Sequence, residues 1–538
     1  MHTTLRRLAA VVLLLVVVVA GCSADPHPNI PDTGKGQSRF GEPEHTAELT
    51  RRIDHLRLWL ETDGLRTLQR PVAEPVDRPN IVLITTDDMT VGELRWMPQT
   101  RQLLGAAGVT FDDSISPHPL CCPARAEILT GQFAQNNGVR TNFPPHGGYQ
   151  ALDADETLPV WLSEAGYQTA FLGKYLNEYA DVAPTVVPPG WSRWMASAGR
   201  VYDYNDFTLN IDGELHDFWG VNQSDLYGDL TEDLVPELAR SGQPFFIWQS
   251  HVAPHSSCPR RPTVQQETCW RPPTPASRHQ GSYDDVPLPS RDDPAFNEAD
   301  VTDKPPRLRR PLLGRTEQHR LTQLFRRRIE SLASVDDTVA RTVAALEGAD
   351  VLDETLIVFT SDNGFLLGEH RLRGKILGYE ESLRVPLLMR GPGIPAGEHR
   401  QRTVATVDLA PTFVAAARAR PGLALDGRHL MPVATQGRGG WDTILIQAGP
   451  RRSGSAYPWY YRGVRTGRYT YLRYTATGRE ELYDRRRDPH QLRNVASTPA
   501  YRAVLGDLRQ RTRELRTCAG TSCRRAPQSD RDQLATES

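Results

Sequence analysis

Lysine is almost missing from this chain. Of 63 Lys and Arg residues in 538, only Lys35, Lys174, Lys304 and Lys375 are lysines. Arginine serves wherever else a cation stands, so a surviving lysine marks a place where a compact ammonium cannot be replaced by a planar guanidinium. Lys35 lies in a stretch rich in Pro, Gly, Asp and Ser, and Lys304 precedes Pro305-Pro306. Both read as incidental, which leaves Lys174 and Lys375 to be explained. An excess of one charge is also lacking: 63 basic against 65 acidic residues give a formal net charge of −2, without the basic bias of a nucleic-acid-binding protein. There is no internal repeat, and no low-complexity tract beyond residues 23–43.

The one long apolar run, Leu8 to Ala20, follows Arg6-Arg7 and is too short to span a bilayer; it reads as a secretory signal. Val19-Ala20-Gly21-Cys22 resembles a bacterial lipobox. Residues 1–21 are therefore expected to be removed and Cys22 to carry a lipid, which makes the membrane a partner and places the exported protein at its outer face. Residues 22–75 are read as a flexible tether followed by a helix, suggested by Ile53, Leu56 and Leu60. In an oxidising compartment, Cys258 with Cys269 and Cys518 with Cys523 are spaced for two local disulfides. Cys122 is left over, either as a buried thiol or as a partner for Cys121.

At 538 residues the chain can bury cores in two domains. Four apolar runs end in polar clusters: Ile81 to Ile84 before Thr85-Thr86-Asp87-Asp88, Leu356 to Phe359 before Ser361-Asp362-Asn363-Gly364, Phe245 to Trp248 before His251 and His255, and Thr169 to Leu172 before Gly173-Lys174. Such runs read as buried parallel strands. Helical spacing falls at Leu158, Leu162 and Ala165, and again from Ile329 to Leu346. Ligands of open α/β sheets bind beyond the carboxyl ends of the strands, and every cluster sits there. Asp87, Asp88, Asp362 and Asn363 offer only oxygen donors, which suit Ca²⁺ or Mg²⁺ rather than zinc; a cation between adjacent carboxylates would relieve their repulsion.

Cys121-Cys122-Pro123-Ala124-Arg125, followed by Thr130-Gly131, resembles the sulfatase signature C-x-P-x-R. With Asp87-Asp88, Gly173-Lys174, Ala253-Pro254-His255, Ser361-Asp362-Asn363-Gly364 and Gly374-Lys375, it makes the chain resemble type I sulfatases of the alkaline phosphatase superfamily from about Pro79 to Cys523. The Cys-Cys-Pro start, Gly173 to Tyr179 and Pro188-Pro189-Gly190-Trp191-Ser192 look closest to N-acetylglucosamine-6-sulfatases and heparan endosulfatases.

The resemblance implies an alkaline-phosphatase-like α/β fold, a large and mostly parallel mixed sheet between helices, with a smaller C-terminal α+β domain. It implies that Cys121 is oxidised to formylglycine by a formylglycine-generating enzyme. One divalent metal, calcium with magnesium as the alternative, would be held by Asp87, Asp88, Asp362, Asn363 and the modified Cys121. Arg125 would help activate the nucleophile, Lys174 and Lys375 would clamp the sulfate oxygens, and His255 would hold the sulfate or protonate the departing oxygen. His251 is the weaker candidate for that role, and His370 lies near the site in sequence without an assigned role. The implied substrate is a sulfated carbohydrate, 6-O-sulfated N-acetylglucosamine above others.

Two departures stand out. Lys174 is followed by Tyr175-Leu176-Asn177 where many sulfatases have a histidine, and Ala124 stands where serine is usual. Expected boundaries are residues 76–425 for the catalytic domain, 426–525 for a C-terminal subdomain with a hairpin at Tyr461 to Tyr474 and a final helix near Leu505 to Leu515, and 526–538 for a disordered tail. The Pro-rich insertion from Ser256 to Arg315 is read as substrate rim. The competing functions are a phosphonate monoester or phosphodiester hydrolase of the same superfamily, and an unmodified lipoprotein that only binds sulfated glycans.

Overall fold

The computed structural model describes residues 78–258, 271–452 and 454–525. The expected signal segment, Cys22, the expected tether and helix, Cys269 and the expected tail from residue 526 lie outside the described residues.

Ten strands make one sheet: β1 (Asn80–Thr86), β2 (Val109–Phe111), β3 (Gln168–Gly173), β4 (Arg193–Gly199), β5 (Asp206–Ile211), β6 (Glu214–Trp219), β7 (Phe245–Ser250), β8 (Thr355–Ser361), β9 (Leu387–Arg390) and β10 (Glu398–Arg400). Their order is β10-β2-β9-β8-β1-β7-β3-β4-β5-β6. The four apolar runs of the sequence are β1, β3, β7 and β8, which lie side by side as parallel neighbours in the middle of the sheet. All four are buried along their length, and burial on both faces is what a continuous apolar run requires. Strand β9 pairs antiparallel with β8 and β2, and the β5–β6 hairpin antiparallel with β4, so the sheet is mixed.

The period of two along a strand divides the core. Ile81 and Leu83 of β1 face one layer, with Trp161, Phe171, Trp194 and Phe413; Val82 and Ile84 face the other, with Leu234, Val335 and Val343. The first layer is capped by helices α1 (Cys121–Thr130) and α4 (Leu409–Ala417), the second by α2 (Gln223–Arg240) and α3 (Arg315–Gly348). Helix α3 begins 14 residues before the expected Ile329. Its first turns are mostly charged and polar, so the few apolar residues there, Leu321, Leu324 and Phe325, do not reveal the period; they pack with Leu288 and Phe365 in a small separate core.

The C-terminal strands β11 (Thr443–Ala448), β12 (Tyr461–Thr466), β13 (Tyr469–Tyr474) and β14 (Glu480–Asp484) form a second, antiparallel sheet. Helix α5 (Arg502–Leu515) contributes Leu505 and Leu508 to their core. That core also holds Ile115 and Leu120, from just before α1, and Phe133, from just after it. The expected hairpin is thus the centre of a four-stranded sheet that covers the segment leading into Cys121.

Cys518 and Cys523 are bonded to each other. Cys258 is also in a disulfide, and its expected partner Cys269 lies outside the described residues. Cys121 and Cys122 are both free, buried thiols, so they do not pair. Lys304 corrects the sequence reading: it is buried, and its ammonium sits 3.1 Å from Glu298, 3.3 Å from Asp303 and 2.9 Å from the Leu492 carbonyl. It is a structural cation tying the insertion to the C-terminal region. Among the described residues no helix is long and apolar enough to cross a membrane.

Candidate active site

The carboxyl ends of the central strands converge. β1 runs into Asp87 and Asp88, β8 into Asp362 and Asn363, β3 into Lys174, and β7 into the loop bearing His255. Backbone bonds carry the ladder past the strands: Asp362 N–H donates to the Thr86 carbonyl at 3.1 Å, and Asp87 N–H to the Ala253 carbonyl at 3.1 Å. Asp88 takes φ of 71°, a left-handed conformation that Asp tolerates better than most residues. Cys121 opens α1, and Arg125 sits one turn later on the same face.

These side chains meet. The Cys121 thiol donates to Asp87 Oδ1 at 3.4 Å, and Lys375 Nζ reaches Cys121 Sγ at 2.7 Å. Lys375 also pairs with Asp88, and Lys174 with Asp87. Arg125 Nε donates to Asp362 at 2.9 Å, while its Nη1 donates to the Lys174 carbonyl at 2.7 Å and Ser250 Oγ at 2.5 Å. Asn363 Nδ2 donates to Asp88 Oδ1 at 2.7 Å. His255 Nε2 lies 3.7 Å from Asp88 Oδ2. Its Nδ1 is 2.7 Å from the Ser256 carbonyl; a carbonyl only accepts, so Nδ1 carries the proton and Nε2 faces the cluster.

Charge sets the protonation states. Burial alone would raise the Asp87 carboxyl, but Lys174, Lys375 and Arg125, joined by His255 only in acid where its ring is charged, hold it well below the usual range. Asp88 and Asp362 are raised, by burial first; the charge of Asp87 adds to both, against Lys375 at Asp88 and Arg125 at Asp362. Despite burial, Lys174 and Lys375 are pushed up by their aspartate partners and stay charged. Cys121 goes the other way: burial, then Asp87, pushes its thiol up to about 12. An unmodified Cys121 is therefore protonated and a poor nucleophile at neutral pH. Burial lowers His255 to about 3, so its ring is neutral in this environment.

The donor set fits a hard divalent cation. Ligand atoms of Asp87, Asp88, Cys121 and His255 all lie within 4.8 Å of one another. Asn363 Oδ1 is buried and has no hydrogen-bond partner, although its amide nitrogen is fully engaged. Three carboxylates beside an orphaned amide oxygen are oxygen ligands of the kind that calcium and magnesium take.

All the residues singled out from the sequence, Asp87, Asp88, Cys121, Arg125, Lys174, His255, Asp362, Asn363 and Lys375, are in this cluster. His251 is not: it is buried beside Ser224 Oγ at 3.1 Å and Tyr227. Nor is His370, whose Nδ1 is 2.7 Å from Glu298. Asn177 donates to the Tyr202 hydroxyl at 3.1 Å, and the Tyr202 ring stacks on His255 with centroids 4.4 Å apart. The sequence reading missed Arg328. From the middle of α3 it donates to the Asp88 carbonyl at 2.6 Å and the Pro254 carbonyl at 3.3 Å, and grips Glu93 at 2.6 and 2.7 Å. It ties the loops of Asp88 and His255 together. Nothing local announces it, because it sits in an arginine run far from both loops.

Three cations facing three carboxylates and a cysteine, beyond the strand ends of an α/β sheet, define a site that handles an anionic ester. The family model "Sulfatase" matches residues 79–419, and "N-sulphoglucosamine sulphohydrolase, C-terminal" matches residues 368–518. An arylsulfatase of Volvox carteri is 32% identical over 495 residues, covering 83% of this chain and 76% of its own. The human N-acetylglucosamine-6-sulfatase is 32% identical over 505 residues, covering 84% and 87%. Among solved structures, one described in complex with its substrate D-glucosamine-2-N,6-O-disulfate superposes with a TM-score of 0.66 at 24% identity, over 81% of this chain and 97% of that one. The phosphonate monoester hydrolase of Agrobacterium radiobacter superposes at 0.63 with 23% identity, over 82% and 95%. The chain belongs to the sulfatase family and is a sulfuric ester hydrolase.

Proposed function

We propose that the protein releases sulfate from a sulfated glycan, with 6-O-sulfated N-acetylglucosamine as the group attacked, using formylglycine at position 121 and one divalent cation. The observation that carries the reading is Cys121, at the first position of α1, within reach of Asp87 and Lys375 and inert there as a thiol. The sugar assignment rests on the named activity of the N-acetylglucosamine-6-sulfatases to which the chain is similar.

Hydrated formylglycine supplies one hydroxyl that displaces the alcohol from sulfur and a second whose collapse to the aldehyde frees sulfate. Asp87, Asp88, Asp362 and Asn363 would hold a calcium or magnesium ion, which lowers the pKa of hydroxyls bound to it. Lys174 and Lys375 are the ammonium groups at the ester, neutralising the non-bridging oxygens as charge shifts in the transition state. Arg125 fixes Asp362 and the Lys174 backbone. His255, with its proton on Nδ1, turns Nε2 toward the bound ester, whose oxygens are all acceptors, so Nε2 serves it only once protonated. Protonated beside the bound anion, it is the group to donate to the departing oxygen.

Residues 76–425 would carry this chemistry and 426–525 would form the subdomain that covers it. Export with a lipid on Cys22 is consistent with the disulfides at Cys258 and Cys518–Cys523, since such bonds persist in oxidising compartments.

Peptide mass spectrometry across Cys121 to Arg125, on protein from its native host, together with sulfate release from 6-sulfated N-acetylglucosamine, tests the reading. Formylglycine and sulfate release are expected. An intact thiol with retained binding of sulfated sugars would instead make the protein a glycan-binding lipoprotein. Faster turnover of an aryl phosphodiester than of any sulfate ester would make it a phosphodiester hydrolase.

A further inference from the structure

Arg328, in the middle of α3, is buried and reaches the cluster at backbone atoms. Its Nη2 donates to the Asp88 carbonyl at 2.6 Å, and its Nη1 to the Pro254 carbonyl at 3.3 Å. The second carbonyl belongs to the peptide that enters His255. Nε and Nη2 take the two carboxylate oxygens of Glu93, at 2.6 and 2.7 Å. The Phe365 ring, two residues past Asn363, has its centroid 4.8 Å from the guanidinium carbon. One side chain thus meets the loops that follow β1, β7 and β8.

Asp88 needs such a hold. Its φ of 71° is a sparsely populated conformation that persists only where the surroundings over-determine it. The Asp88 N–H donates to Asp362 Oδ1 at 3.1 Å, and its carbonyl is the one that Arg328 holds. Both ends of the residue are therefore fixed, which leaves its carboxylate turned to the cluster. Glu93 extends the hold along the chain: its Oε2 also accepts the Thr90 N–H at 2.8 Å, and its own N–H donates to the Thr90 carbonyl at 3.1 Å. A lone guanidinium at this place would repel a cation in the cluster, but the buried Glu93 carboxylate cancels its charge. What the pair supplies to the site is geometry.

We propose that Glu93 and Arg328 form a positioning unit that sets the affinity of the cluster for its divalent cation, by holding Asp88 and the peptide entering His255 in the arrangement that binds it. The inference rests on the divalent-cation reading of the site and deepens it. Groups that orient metal ligands from one step behind typically govern affinity or activity by roughly 10–100-fold. The fork itself is required here, because a single ammonium cannot reach the Asp88 carbonyl, the Pro254 carbonyl and both Glu93 oxygens at once.

The test is calorimetric titration with calcium of the full-length protein, of Arg328→Lys, and of the Glu93→Gln/Arg328→Gln double variant. The lysine keeps Glu93 paired and the double variant keeps the place electrically neutral, so neither leaves a buried charge alone. Melting curves check that both are folded. A calcium Kd raised by about tenfold or more in both is expected. A pair that served stability alone would lower the melting temperature and leave Kd where it was, so an unchanged Kd in either folded variant overturns the proposal. If neither variant folds, Glu93→Asp, which shortens the brace by one methylene, is judged by the same criterion. If the unaltered protein binds no divalent cation, the cation reading fails, and amide hydrogen exchange in Arg328→Lys decides the positioning role separately. Faster exchange over residues 87–93 and 253–257, with β1 and β7 unchanged, upholds it; unchanged exchange there overturns it.

Discussion

Lys174 and Lys375 each end on an aspartate of the cluster, and Lys375 also touches the nucleophile's sulfur. Substituting either by alanine is expected to lower kcat/KM on a sulfate ester by about 10²–10³, as loss of a preorganised charge at a transition state does. Lys375→Arg should not restore it, because a planar fork cannot take the place of one point charge between Asp88 and Cys121. Steady-state kinetics on the three variants check this. A second residue has a pH signature. His118 is buried, and its Nε2 accepts the Gly449 N–H at 3.1 Å. Burial, with Arg462 adding to it, lowers its pKa to about 3. The folded state therefore favours the neutral ring: this contribution is complete above about pH 6.5, the ordinary value, and is lost as pH falls toward 3. On this account the protein loses up to ~1.4 kcal/mol per pH unit that His118→Gln does not lose. Urea midpoints between pH 4.5 and 7 for both proteins give the difference. At this scale the sequence was most readable where a residue's chemistry was visible beside its neighbours. Lys174 and the doubled carboxylate Asp87-Asp88 stood at strand ends, and Lys375 stood out by the scarcity of lysine alone. Arg328 was unreadable, since its partners, the Asp88 and Pro254 carbonyls, are backbone atoms brought to it only by folding.

Among the elements, the four central strands were legible because apolar runs buried on both faces have no other stable home. The start of α3 was not legible, because a helix lying partly under loops needs few apolar residues and shows no clear stripe. The join between β3 and Lys174 is the most exacting of these connections. Gly173 has φ of +103°, and a Cβ there would meet the Ser250 carbonyl oxygen at 2.1 Å. Gly173→Ala must therefore displace either β7 or the Lys174 backbone, whose carbonyl holds Arg125. Activity is expected to fall by about tenfold or more, with a destabilisation of about 1–3 kcal/mol. Kinetics and thermal melts on the variant are the measurement; a wild-type rate would show that the site tolerates movement of Lys174.

For the whole molecule, a cation held by residues from two strand ends should couple binding to stability. Calcium at a hundred times its Kd is expected to stabilise the folded chain by about 2.7 kcal/mol, and a chelator to reverse this. Asn363→Ala, which removes the orphaned oxygen, should reduce the response. Melting temperature against calcium concentration reads this directly. The plan of a large sheet with a smaller C-terminal domain was implied by the sulfatase resemblance that the motifs carry. The packing of the second sheet against residues just before α1 was not, because contacts between distant segments leave no local pattern.

That last contact concerns time. Cys121 is buried, and the segment before it is bonded to β11 and the residue after it: Gln447 N–H to the Pro117 carbonyl at 3.0 Å, and Gly449 N–H to His118 across 331 residues of chain. The cover is made by residues that follow Cys121 by more than three hundred positions and are synthesised after it. At roughly 5–20 residues per second, the sulfur is complete on the ribosome for on the order of tens of seconds before its lid exists. Any enzyme that must reach this cysteine works within that interval or on a chain kept unfolded. A finished thiol form, offered the same enzyme, should remain a thiol.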